Sequence, residues 1–242
     1  MDRILLSNDD IKFIFDWKDK HKDEIHRLMI PLKALKFELT EQNITMTAIK
    51  ENDKLTLTTS RLGKSIGKAK MTLFFDGELS GKAAINSNTI DITKVAPVEI
   101  IMQAYKTLTN EKFDGTAKEN KEKLNHLYTM DLLTLYCSVM ALLVFGAEEI
   151  NPDNLVEKAR TTAVHKKSQK RKVKKKNSIT YILSHKVGKK PSIKAKGSHN
   201  SPSESFSVRG HFRHYKNGRV IWIDSYIKGK GKGTHHDKTY KL

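Results

Sequence analysis

The chain is short of the residues that staple or punctuate a fold. Its 242 residues include one cysteine, two tryptophans and five prolines. A lone cysteine, Cys137, excludes an internal disulfide and any multi-cysteine zinc site, and it suits a reducing cytoplasm. No apolar run reaches the roughly 20 residues that a membrane span needs. The longest, residues 132–145, is 14 residues long and is bounded by Asp131. The opening Met1-Asp2-Arg3-Ile4-Leu5-Leu6-Ser7 is too brief an apolar run for a secretory leader. Acid is scarce in one region only. Residues 151–242 hold 5 Asp+Glu against 24 Lys+Arg, a net of +19, whereas residues 1–150 hold 22 against 21, a net of −1. These absences predict a cytoplasmic protein with no membrane segment, metal or cofactor, and they put a phosphate-binding surface in the last third.

What is present organises around residues 124–145. This stretch is apolar on almost every side from Leu132 to Phe145, so it must be covered all round, and Gly146 stops it. Upstream, Ser7 with Asp9 and Asp10 reads as a helix start. Ile11, Ile14 and Phe15, then Ile25, Leu28 and Met29, give helical spacing, and the polar residues 18–24 break it in two. From Leu32 the apolar period changes to two: Leu35, Phe37, Leu39; Ile44, Met46, Ala48; Leu55, Leu57; Met71, Leu73, Phe75. Such alternation between polar turns predicts an antiparallel meander with one buried face. Residues 84–95 add one or two strands, and Pro97 opens a helix to about Thr109. The fold class is therefore α+β, with the 120–146 helix packed on the sheet. Gly63-Lys64-Ser65 resembles the end of a phosphate-binding loop, but Thr58 stands where that loop needs glycine. Residues 61–68 read instead as a flexible basic loop.

The predicted organisation is a body over 1–150, a basic and largely flexible linker over 151–205, and a C-terminal β-hairpin with a cationic tail over 206–242. Residues 160–176 hold nine Lys/Arg and no acid. A tract of this kind serves as a solvated linker or as a nucleic-acid arm that releases counterions on meeting phosphates. Lys166, Lys167, Lys170, Arg171, Lys172, Lys174, Lys175 and Lys176 are its candidate contacts. Residues 178–184 read as an isolated strand. Residues 228–233 read as a flexible cationic strip, and His235-His236-Asp237 as part of a mobile tail rather than a metal site.

Two β-rich runs meet at Asn217-Gly218, the strongest short-range hairpin signal. A two-residue turn there would pair Tyr215 with Val220, Arg213 with Trp222, His211 with Asp224 and Arg209 with Tyr226. That face gathers cations beside aromatics, as single-stranded nucleic-acid sites do. The opposite face, with Val208, Phe212, Ile221, Ile223 and Ile227, would pack on the body. The same pattern admits a bland reading, in which cross-strand pairs simply hold the hairpin together.

The string Arg209-Gly210-His211-Phe212-Arg213, then Asn217-Gly218-Arg219 and Ile221-Trp222-Ile223, resembles a C-terminal cassette of uncharacterised phage and plasmid proteins. The resemblance covers about residues 208–231. It implies a mobile-element origin and an intracellular setting, the host cytoplasm if phage-encoded, and it carries no activity. The leading expectation is nucleic-acid binding, RNA or DNA, through residues 151–242, with Arg209, Arg213, Tyr215, Trp222 and Tyr226 as ordered contacts and the isolated body binding none. One alternative is a metal-independent ribonuclease, with His211 as base oriented by Asp224 and Arg209 or Arg213 stabilising the phosphorane. The other is an interaction protein whose N-terminal body binds a host protein.

Overall fold

The computed structural model describes residues 1–26, 30–75, 81–145, 179–182, 205–215, 217–228, 235–236 and 238–241. The chain opens with strand β1 (Asp2–Leu6), then helices α1 (Asn8–Lys20) and α2 (Lys22–His26). Ser7 caps α1 reciprocally. Its hydroxyl accepts from the Asp10 amide at 3.1 Å, and the Asp10 carboxylate accepts from the Ser7 amide at 2.7 Å. Caps of this kind stabilise a helix by about 1 kcal/mol.

Five strands follow: β2 (Ala34–Leu39), β3 (Ile44–Glu51), β4 (Lys54–Arg61), β5 (Lys64–Phe75) and β6 (Gly81–Asn88). Each pairs antiparallel with the next, as the alternation predicts. Leu35, Phe37, Met46, Leu55, Leu57, Ala69 and Met71 fill the buried face. Residues 61–68 are no loop. Arg61 pairs with Lys64 across Leu62-Gly63, whose φ values of 48° and 77° make a tight hairpin turn. Gly67 serves close packing instead of phosphate, since a Cβ there would lie 2.4 Å from the Thr89 carbonyl oxygen.

After β6 the chain makes a short 3₁₀ turn (Ile92–Lys94), where a strand was expected, then α3 (Val98–Thr109) and α4 (Ala117–Phe145). Helix α4 is long and apolar enough to cross a membrane by length and composition, but most of that window is buried in the fold. Its all-round apolarity has a packing cause: Leu132, Leu135, Tyr136, Val139, Met140 and Leu143 join one core with the sheet residues and with Ile14 and Trp17 of α1. Each such side chain contributes about 1.5–3 kcal/mol on burial. Burial also pushes the Cys137 thiol up to about 12, so it packs rather than reacts. Gly146 lies outside the described residues.

The C-terminal third differs from the expected chain of linker, hairpin and tail. Strand β7 (Ile179–Ile182) is not isolated, and the last strand, β13 (Lys238–Lys241), is not a free tail. Strand β13 pairs parallel with β1 on one side and with β7 on the other. With β1 parallel to β2, the sheet runs β6-β5-β4-β3-β2-β1-β13-β7. Between them lie β8 (Ser205–Val208), β9 (His211–His214), β10 (Val220–Ile223), β11 (Tyr226–Lys228) and β12 (His235–His236). Strand β8 pairs with β11 and β12, so His235-His236 is a strand.

Candidate nucleic-acid interface

The expected hairpin exists, but its register is one residue away from the two-residue turn. Strands β9 and β10 pair Val220 with His214, Ile221 with Arg213, Trp222 with Phe212 and Ile223 with His211. The Tyr215 amide donates to the Arg219 carbonyl at 2.9 Å, and the Gly218 amide donates to the Tyr215 carbonyl at 3.0 Å. The turn therefore closes on Tyr215 and Arg219 instead of on Lys216 and Arg219, and Gly218 takes φ +80° within it. A glycine at positive φ beside such a pair marks a bulged hairpin turn in place of the two-residue one.

A one-residue slip exchanges the faces. Arg213 and Trp222, expected opposite each other, lie on opposite faces. The exposed His211 and Arg213 share a face with the half-buried Ile221 and Ile223, not with Trp222. The proposed catalytic pair does not form either. Asp224 accepts from the Trp222 indole at 2.9 Å, and His211 contacts the Arg209 carbonyl at 3.1 Å. Tyr226 belongs to the β8–β11 ladder, opposite Val208 rather than Arg209. What the hairpin does bring together is Arg213 and Tyr215, with the guanidinium carbon 5.1 Å from the ring centroid. Within the lysine and arginine set, residues 166–176 lie outside the described residues.

Trp222 takes a body-facing place beside Phe212. Their ring centroids are 5.0 Å apart and edge-on, and Phe212 lies 6.2 Å from Phe145 at the end of α4. Phe212 does face the body, but it remains 37% exposed, and Ile227 is 69% exposed where packing was expected. Gly210 makes this arrangement possible. A Cβ there would sit 2.6 Å from the Trp222 ring, and its amide donates to the Pro31 carbonyl at 2.8 Å.

A second cationic surface, which counting charge by segment had hidden, lies on the body. With Ala69, Met71 and Leu73 buried, alternation sends Lys68, Lys70, Thr72 and Phe74 to the open face of β5. Across from them stand Thr58, Thr56 and Lys54 of β4. Nearer the middle of the sheet the charges are already paired: Glu38 lies 3.7 Å from Arg3 and 2.9 Å from Lys36. The clue was available in the sequence, because every one of these lysines sits on the polar phase of its strand.

No group of three or more metal-binding side chains occurs among the described residues. No protein-family model, curated protein or solved structure matches the chain.

Proposed function

We propose that this is a nucleic-acid-binding protein that acts through its basic C-terminal third, of phage or mobile-element origin and at work in the cytoplasm. The observation that carries this reading is the charge division, a net of +19 on residues 151–242 against −1 on residues 1–150. A surplus of that size finds its natural partner in a phosphate polymer, through counterion release. The Arg213–Tyr215 stack supplies a cation beside an aromatic, a pairing suited to an unpaired base. The ribonuclease reading loses its support, since Asp224 is engaged by Trp222 and does not orient His211.

The test uses the full chain. Removing residues 151–242 would also strip β7 and β13 from the sheet, so a truncated body is not a clean comparison. Labelled single-stranded RNA, single-stranded DNA and duplex are titrated at several salt concentrations. Binding at low salt should fall by about 10³–10⁵ between 50 and 200 mM salt if six to ten phosphates are contacted. Replacing Lys170, Arg171 and Lys172 with glutamine should weaken binding and flatten the salt slope. A chain that leaves every oligonucleotide free at low salt would end this reading.

A further inference from the structure

We infer that the open face of the β3–β6 sheet is a second, ordered site for single-stranded nucleic acid, with phosphates held at Lys54 and Lys70 and a base stacked on Phe74. This rests on the nucleic-acid reading above and adds a site to it.

The inference starts from a concavity. Strands β5 and β6 change register between Lys70 and Met71: Lys70 pairs with Ser87, Met71 with Ile85, and Asn86 is left as the extra residue. A bulge of this kind bends its strand and re-aims side chains. Here it opens a hollow of about 370 Å³ lined by Ile49, Glu51, Lys54, Thr56, Lys70, Thr72 and Asn86. Asn86 is fixed within it, since its side-chain oxygen accepts from the Thr72 hydroxyl at 2.8 Å.

The lining chemistry suits a nucleotide strand. Lys54 and Lys70 are exposed, and the ion pairs formed elsewhere on the sheet face by Arg3 and Lys36 do not involve them. Thr56 and Thr72 add hydroxyls between the two lysines. Phe74 is 47% exposed and stands two residues beyond Thr72 on the same face, about 7 Å along the strand. Lys54 stands across from Thr72, one step before the ring, and Lys70 lies four residues from Phe74, about 13 Å along the strand, so cations and an exposed aromatic line one face as single-strand sites require. Glu51, the one carboxylate in the lining, pairs across from Lys54. A base edge bearing an amine suits Glu51, with the phosphates on either side of that base reaching Lys54 and Lys70. A small neutral ligand would not explain two lysines, and an acidic protein segment would not explain the bare phenyl ring.

The experiment is fluorescence anisotropy on the full chain with a labelled oligodeoxycytidylate of about 12 nucleotides, whose bases carry the exocyclic amine. It is accompanied by photocrosslinking and peptide mapping. The Lys54→Gln/Lys70→Gln double variant should bind about tenfold more weakly at low salt, and its salt slope should flatten by about 1.4, the single-strand value for two lost phosphate contacts. Phe74→Ala should also bind about tenfold more weakly, with the slope unchanged, because a stacked base carries no counterions. Crosslinks should fall within residues 54–75 as well as within residues 151–242, and the melting temperatures should match the parent. If both variants bind like the parent and crosslinks fall only within residues 151–242, the sheet site is overturned and the C-terminal reading stands. Binding of deoxycytidine monophosphate as tightly as the oligomer would also overturn it. If the parent binds no nucleic acid, both readings fall together.

Discussion

Two hairpins in this molecule reverse the usual relation between turn sequence and turn geometry. Strands β4 and β5 join through Leu62-Gly63, a dipeptide with little turn preference, yet both residues take positive φ and the loop is two residues long. Strands β9 and β10 join through Asn217-Gly218, the favoured pair for that very turn, yet the turn closes on Tyr215 and Arg219 instead of on Lys216 and Arg219. The difference lies in what each hairpin packs against. Leu55, Leu57, Ala69 and Met71 are fully buried under the helices, and any slip would drive them into solvent. The β9–β10 hairpin has no such row. Its register follows the Phe212–Trp222–Phe145 ring cluster, which sets Trp222 opposite Phe212 over the bare Gly210. Buried side chains choose register, and the turn dipeptide adapts.

The largest effect should come from breaking the buried row. Leu57→Ala, at a position with no exposure, should destabilise the fold by about 2–5 kcal/mol in urea unfolding. Phe212→Ala should cost clearly less, because its ring is partly exposed. Next comes Gly210→Ala. The added methyl must displace the Trp222 ring or break the Pro31 hydrogen bond, at about 1–3 kcal/mol, and Trp222 fluorescence should shift with it.

How much of this was legible follows the same division. The meander, the α1 cap and the wrap around α4 could be read because alternation and capping are local signals. Strands β1 and β13 could not. Their partners are parallel and distant, so no turn announces them, and Lys238–Lys241 has little apolar pattern to read. The hairpin face departs from the sequence expectation because packing of Phe212 and Trp222 outranks the Asn217-Gly218 turn signal. The sheet-face lysines do not show in a charge sum along the chain, because neighbouring acids cancel them there and only strand alternation separates the faces.

A smaller effect tests the turns themselves. Gly63 and Gly218 have φ of +77° and +80° with open space around each, so alanine at either should cost a similar amount, about 1 kcal/mol. Unequal costs would mean that one turn is doing more to hold its hairpin than the other. The smallest effect lies outside both hairpins. Burial raises the Asp131 carboxyl above its ordinary range, and the hydrogen bond from Tyr105 and the charge of Lys18 offset this only in part. The stability associated with a raised carboxyl is present below the unfolded value, about 3.9, and is lost as pH rises through the folded one. Asp131→Asn keeps an oxygen for Tyr105. It should therefore stabilise at pH 7 by under about 1 kcal/mol, and the gain should vanish below about pH 4.

The β9–β10 register decides which side chains of the hairpin can act together. Counting from the hydrogen-bonded Tyr215–Arg219 pair, Phe212 and Trp222 form a non-hydrogen-bonded pair, whose Cα atoms approach to about 4.5 Å. The direct test is the cross-strand Hα–Hα nuclear Overhauser effect at Trp222 in the full chain. A strong effect between Trp222 and Phe212 is predicted. A strong effect between Trp222 and Arg213 would mean the two-residue turn, restore the arginine–tryptophan face and contradict the account.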